Sequence, residues 1–472
     1  MELERNDIQG LVVSSYKHLT CAAYILLRIS NAGSTRTWLS QRLGEITTAT
    51  GKHPDVSLNV AFTSSGLKAL GLKPETLATF SFPFQEGMAI DHRSRILGDN
   101  NESAPSEWEW GGTKHAVDLL LLLFAKDEST LAAELKRQQG FFSAGGLAVI
   151  KTLTAGRQPD SHEHFGFNDG IGQPVMEGTG NKQRQLDRTH HATELPAGEF
   201  LLSQPNVYGV TADGPAVSAG DDPRQLLPVV PADSTGLRSI AGMHDLGRNG
   251  TYLVFRQLAQ HVAQFWNFLD QSTRGTDGAS NPDARALLGA KFVGRHMSGA
   301  PLVLSPNHDD PRLANENNFS YANDAQGYAC PFGAHIRRSN PRDSLATDPQ
   351  IALNSANRHR ILRRGRSYGS RLENPLVDDG VDRGLHFICL NSDIERQFEF
   401  VQQTWINNPV FSGLYAEVDP LVGNLAKGDA LFTVPGKPLR SRVHNLSRFV
   451  VVKGGSYFFL PGMRALSYLV SL

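Results

Sequence analysis

Short apolar runs of strand length alternate with helical patterns along this chain, and the alternation occurs in two separate stretches. Residues 21–30 (CAAYILLRIS) are apolar and partly β-branched and read as a buried strand. Ser34-Thr35 and a helical pattern through Trp38, Leu39 and Leu43 follow. Residues 56–63 (VSLNVAFT) predict a second strand, with Ser64-Ser65 capping a helix through Leu67 and Leu70. His115–Ala125 reads as a further strand and Ser129–Gln139 as a helix. The second stretch opens at Gly198 with a short apolar strand in GEFLLSQPN, then a period-two run at 250–258 (GTYLVFRQL) and a helix over Gln260–Leu269. A strand is expected at 384–390 (GLHFICL), a helix at Asp393–Trp405, and a final strand pair around Arg448–Val452 and Ser456–Leu460 turned by Gly454-Gly455. Between the stretches, residues 176–197 are polar and aperiodic, as a linker would be.

Composition narrows the partner classes. The 472 residues carry 46 Lys+Arg against 47 Asp+Glu, so no global basic excess points to nucleic acid or a lipid surface. Met-Glu-Leu-Glu-Arg-Asn-Asp lacks the basic start and apolar stretch of a secretory leader, and the apolar run Leu119–Ala125 is too short to span a bilayer. Cys21, Cys330 and Cys389 are odd in number and far apart, which fits reduced thiols. The expectation is a cytoplasmic protein that does not bind membranes.

Three segments carry chemistry. In His164–Pro174 (HFGFNDGIGQP), glycines at 166, 170 and 172 surround Asp169 and allow a close backbone approach to a flat ligand. Asp169 is a candidate general base, or the stabiliser of an Asn-Asp-Gly turn. In Cys330–Arg342 (CPFGAHIRRSNPR), the single imidazole of His335 suits an axial haem ligand, since haem iron needs one strong proximal donor. Arg337, Arg338 and Arg342 could pair with haem propionates or form a solvated basic face. In Asn357–Gly369 (NRHRILRRGRSYG), Arg363 follows Ile361 and Leu362 and precedes Gly365, a context for an inward-pointing arginine. A nucleic-acid reading of this basic run would leave its arginines exposed and conflicts with the neutral total charge.

Together these segments resemble the dye-decolourising peroxidase family. G-x-x-D-G appears as Gly166-Phe167-Asn168-Asp169-Gly170, the proximal-histidine segment as CPFGAHIRRSNPR and the distal-arginine segment as ILRRGRSYG. The likeness continues through Asp7-Ile8-Gln9-Gly10, GEFLLSQPN, NGTYLVFRQL, RGLHFICLNSDIERQFEFVQQTWINNP and KGGSYFFLPGMRAL, which is nearly the whole chain.

The resemblance implies an α+β fold of two ferredoxin-like domains, residues 1–195 and 196–472, with antiparallel sheets flanked by helices and one haem b held mainly by the second. By motif position His335 is the iron ligand, Asp169 and Arg363 act on peroxide, and Arg342 pairs with a propionate. Leu385 and Phe387 wall the peroxide pocket. An aspartate shuttles the peroxide proton, a guanidinium stabilises the charge as O–O stretches, and a ferryl haem is then reduced by dyes, phenolics and other one-electron donors. The imidazole should donate to a carboxylate; Asp393, at a helix start, is the first candidate, ahead of Glu399 and Glu417, though Asp393 could equally serve as an N-cap. Tyr368 and Trp405 match positions of surface electron relays, or are core aromatics.

Two features depart from parts of the family. Gly365 stands where some members carry asparagine, and the chain stops at SYLVSL with no docking tail, so encapsulin cargo is not expected. The alternative function is a haem-binding or haem-handling protein with little peroxidase turnover; retention of Asp169 and Arg363 argues against it, because binding alone needs neither.

Overall fold

A computed structural model of the chain describes residues 2–51, 54–179, 194–212, 214–231, 240–425 and 430–472. The first half contributes β1 (Cys21–Ile29), α1 (Ala32–Arg42), β2 (Val56–Phe62), β3 (Leu119–Ala125), α2 (Glu128–Phe142) and β4 (Leu147–Gly156). The second contributes β5 (Thr251–Gln260), α3 (Val262–Ser272), α4 (Pro282–Val293), α5 (His335–Ser339), β6 (Leu362–Arg363), β7 (Arg366–Tyr368), β8 (Gly384–Asn391) and β9 (Val450–Leu460). Strand order is β4-β1-β3-β2 in the first half and β9-β5-β8-β6/β7 in the second, the same ferredoxin-like order twice. The halves meet edge to edge, β4 on β7 and β2 on β9, so the antiparallel sheet closes on itself into a barrel.

Closure explains the composition of β3. Leu119, Leu121 and Leu123 pack into the core under the helices, while Leu120, Leu122 and Phe124 pack inside the barrel against Phe255, Ile388 and Phe458. A strand covered on both faces reads as a continuous apolar run instead of an alternation. Each seam is thin, since only Ser367↔Gly156 and Phe62↔Phe459 are paired across it. The shared interior core therefore holds the halves together. Each buried leucine contributes roughly 1.5–3 kcal/mol.

Three elements differ from their sequence-based expectation. Gly454-Gly455 is not a hairpin turn: β9 runs through it as one strand with a register shift between Val452 and Gly454. A Cβ on Gly454 would lie 2.5 Å from Trp110 Nε1, so the glycine is there to admit the indole. GEFLLSQPN is a buried turn and not a strand, beginning with a 3-10 helix at Ala197–Glu199 and leaving Phe200, Leu201 and Leu202 fully buried. The helix expected at Asp393–Trp405 forms over Glu395–Glu399 and Val401–Ile406, but as π-helix. Most of the aperiodic 176–197 segment, residues 180–193, lies outside the described residues. Among the described residues no helix is long and apolar enough to cross a membrane.

Inside the barrel, His386 lies across the seam. Its Nε2 is 3.2 Å from Thr154 O on β4, and its ring stacks on Tyr368 at 4.5 Å. Burial drives its pKa down from 6.5 to about 3. Below about pH 6.5 the unfolded chain takes up a proton that the folded chain refuses, so folding stability falls as pH drops toward 3. His386→Phe is expected to flatten this dependence by about 1 kcal/mol per pH unit, read from denaturant midpoints between pH 6.5 and 3.5.

Candidate active site

The outer face of the second half-sheet forms one wall of a cavity of about 310 Å³. In-register pairing puts Leu258 beside Leu385 and Arg256 beside Phe387, and all four side chains line the cavity. Arg363 pairs with Cys389 on the same face. The opposite wall comes from α5, with His335, Ile336 and Ser339, and from Leu421 and Val422. A cavity of this size, largely apolar with a few convergent polar groups, is the form of a small-molecule or cofactor site.

His335 opens α5. Its Nδ1–H donates to Asp419 Oδ2 at 2.8 Å, which assigns the proton to Nδ1 and leaves Nε2, hydrogen-bonded to no described residue, for the cavity. Asp419 is wholly shut from solvent, and its Oδ1 accepts the amides of Leu421 and Val422, each at 2.9 Å. Burial works against the charges of both partners. Even so, the carboxylate keeps the imidazole above its usual pKa, and the imidazole keeps the carboxyl below its own.

Asp169 ends a tight turn. Its N–H donates to Ser161 O, and Gly166 (φ 93°) and Gly170 (φ 85°) occupy the left-handed region on either side. Arg363 Nη1 donates to Asp169 Oδ1 at 2.9 Å, and Gly170 N donates to the same oxygen at 2.6 Å. Oδ2 accepts no hydrogen bond from a described residue. Burial raises the Asp169 pKa, but the Arg363 charge and the Gly170 amide overcome it and hold the carboxyl below its ordinary range. Both side chains also line a second cavity of about 160 Å³, which borders the first through Leu385, Phe387 and Glu163.

The carboxylate on His335 is therefore Asp419 and not Asp393. Asp393 Oδ1 accepts Arg396 N at 2.9 Å, the N-cap arrangement. Glu399 is taken by Arg93 and Tyr457, and Glu417 by Thr433. Nothing in the spacing marks Asp419, 84 positions from its partner. Arg337 and Arg338 neither line the cavity nor face solvent: Arg337 binds Asp324 and Cys330 O, and Arg338 binds the carbonyls of Trp405, Asn408 and Glu417. Arg342 does line the cavity, stacked at 3.8 Å on Phe319 with its guanidinium bound to Asn317 and Phe319 O. Beside it lies Arg295, which sequence reasoning passed over and whose pKa burial lowers to about 10. Tyr368 faces the barrel interior, whereas Trp405 packs edge-on to His359, a cavity residue, at 5.2 Å.

A histidine fixed by a buried carboxylate, opposite an Asp–Arg pair in an apolar cavity, is a donor set suited to a haem. Comparison with known proteins gives the same class. Residues 7–158 match the family model described as the DyP dimeric alpha+beta barrel domain. A dye-decolorizing peroxidase of Exidia glandulosa is 30% identical over 98% of this chain and 87% of its own length. One from Mycena epipterygia is 31% identical over 89% and 77%. A solved dye-decolorizing peroxidase in complex with 2,6-dimethoxyphenol superposes with a TM-score of 0.78 at 25% identity, covering 100% of both chains. The chain belongs to the dye-decolorizing peroxidase family, whose members are haem enzymes.

Asp419→Asn would present an amide N–H to Nδ1 and drive the imidazole proton to Nε2, the atom that would have to ligate a haem iron. Haem affinity is expected to fall about 10- to 100-fold, read from a Soret titration of the apoprotein. Unchanged affinity would remove Asp419 from this role.

Proposed function

We propose that this chain is a peroxidase that holds one haem b on His335 and uses hydrogen peroxide to oxidise dyes, phenolics and other one-electron donors. The observation that carries the reading is the shared cavity: His335, fixed by Asp419, on one wall and the Asp169–Arg363 pair at the other. The names of the relatives and the phenol bound to the solved family member support the donor class. A haem held on His335 would supply the redox chemistry, the two-electron reduction of peroxide coupled to one-electron oxidation of the donors.

The remaining work falls to the protein. Asp169, already ionised, offers its free Oδ2 to the proton on one peroxide oxygen and returns it to the other, which leaves as water. The Arg363 guanidinium stabilises the negative charge that develops as the bond stretches. Arg342 and Arg295 line the cavity beside Asn317 and are the arginines that would pair with carboxylates of a bound cofactor. Leu385 and Phe387 keep the peroxide end apolar. Neither relay candidate is a surface residue, since Tyr368 and Trp405 are both buried core aromatics; Trp405 is the one that packs on a cavity residue, His359. Three unpaired cysteines favour a reducing, cytoplasmic setting.

Rapid mixing of the haem-loaded protein with peroxide tests the reading. Asp169→Asn should keep the Soret band and slow the peroxide-dependent spectral change about 10²- to 10⁴-fold, and Arg363→Leu about 10²- to 10³-fold. Unchanged rates in both would overturn the assignment. A wild-type protein that binds haem but does not react with peroxide would be a haem-handling protein instead. Because Arg363 holds Asp169 below the ordinary carboxylate range, the wild-type rate is expected to stay level from pH 7 down to about 4 and to decline only below that. A decline centred near pH 6 would mean that another group is the base.

A further inference from the structure

The Asp169–Arg363 contact alone does not hold Asp169 in place. The one hydrogen bond between them, Arg363 Nη1 to Asp169 Oδ1 at 2.9 Å, engages a single carboxylate oxygen. The position of Asp169 must come from the turn that carries it. Within residues 161–169, Glu163 N donates to Phe167 O, Gly166 N to Glu163 O, and Asp169 N to Ser161 O. Two further amides of the turn go to one side chain. Glu163 Oε2 accepts Phe165 N, and Oε1 accepts Phe167 N, each at 2.9 Å. Oε2 also accepts Gln260 Nε2 at 2.7 Å from the end of β5. Glu163 thus closes the turn from inside and straps it to the sheet on which Arg363 lies. It also lines both cavities, and burial raises its pKa.

We propose that Glu163, with Gln260, is a positioning residue for peroxide activation: the Glu163 carboxylate holds the 161–169 turn against β5 so that Asp169 stays beside Arg363 in the cavity that His335 lines. The inference rests on the peroxidase reading above. It assigns Glu163 no proton transfer. The chemistry requires an acceptor for three N–H donors, which only a carboxylate at this position satisfies, because a glutamine side chain there would turn an NH₂ group against one of them.

Three holoproteins, Glu163→Gln, Gln260→Leu and Asp169→Asn, are compared with the wild type by rapid mixing with peroxide, and each is also examined as apoprotein by hydrogen exchange of peptides spanning 161–170. For Glu163→Gln the expected result is an intact Soret band and exchange in that peptide faster by about tenfold or more. Its second-order rate constant with peroxide should be about 10- to 100-fold lower, with the KM for the reducing dye at saturating peroxide unchanged. Gln260→Leu, which cuts only the strap to β5, should show the same pattern at smaller amplitude, and it decides the matter if Glu163→Gln does not fold. Faster exchange with an unchanged peroxide rate overturns the proposal, as does a slower rate with unchanged exchange, which would mean that Glu163 acts through its charge. If Asp169→Asn itself reacts at the wild-type rate, the peroxidase assignment of Asp169 fails; if Asp169→Asn is slow while both strap variants are fast, only the positioning role fails.

Discussion

A carboxylate with no access to solvent needs a reason to be charged, and for Asp419 the reason is His335. Moving a lone carboxylate out of water costs several kcal/mol. Here that cost is offset by the imidazole on Oδ2 and by two loop amides on Oδ1. Arg338 stands nearby, completely buried, with its guanidinium given to carbonyls at 405, 408 and 417. The Asp419 amide in turn donates to Ile406 O. The hydrogen bond that orients the imidazole also ties together α5, the end of the π-helical segment and the loop to Val422. The orientation of His335 is thus a property of this whole region.

The other wall depends on closure of the barrel. Asp169 lies in the chain that leaves β4, and Arg363 is on β6, so the pair joins the two halves. The β4–β7 seam rests on a single backbone pair, Ser367↔Gly156, at the C-terminal end of β4 from which the chain runs on to Asp169. The turn is fastened to the second half by other means. His164 Nε2 is 2.7 Å from Tyr368 O, Asn168 Nδ2 donates to Ser298 O, and Phe165 packs on Phe265 with ring centroids 4.5 Å apart. A site divided between halves is only as ordered as these ties, and so the turn is densely bonded although its aspartate is open to the cavity.

The sequence was legible where local pattern and local structure coincide. The strand at 384–390 alternates because one face lines the cavity and the other the barrel interior, and Leu385 and Phe387 fall on the cavity face as their spacing requires. Asp169, His335 and Arg363 stand in segments whose glycines and small residues are visible one residue at a time. Asp419 was not legible, since its partner is 84 residues away and its segment carries no periodicity. Arg364 and Arg366, in the basic run 357–369, bind the carbonyls of Leu11, Val12, Ser15, Tyr16 and Leu19 and so fasten an N-terminal turn from more than 340 residues away. Long-range pairing of side chain with backbone leaves no mark at fixed spacing. The Gly454-Gly455 pair misled for the related reason that its cause, Trp110, lies more than three hundred residues earlier.

Gly365 shows how backbone geometry limits the side chains that can stand beside Asp169 and Arg363. The register between β6/β7 and β8 continues unbroken through Arg364 and Gly365, with Arg364 N donating to Ile388 O. A Cβ at 365 would lie 2.6 Å from His386 O and 3.2 Å from Ile388 N, both atoms of the β8 backbone. An asparagine there would require β8 to retreat, and β8 carries Leu385 and Phe387. The close approach that brings those two apolar side chains to the cavity is the same approach that excludes a polar side chain at 365. On the proposed peroxidase reading, the polar work at this end of the cavity would therefore rest on Asp169 and Arg363, and the bracing of the Asp169 turn would matter more than in a pocket with a third polar group.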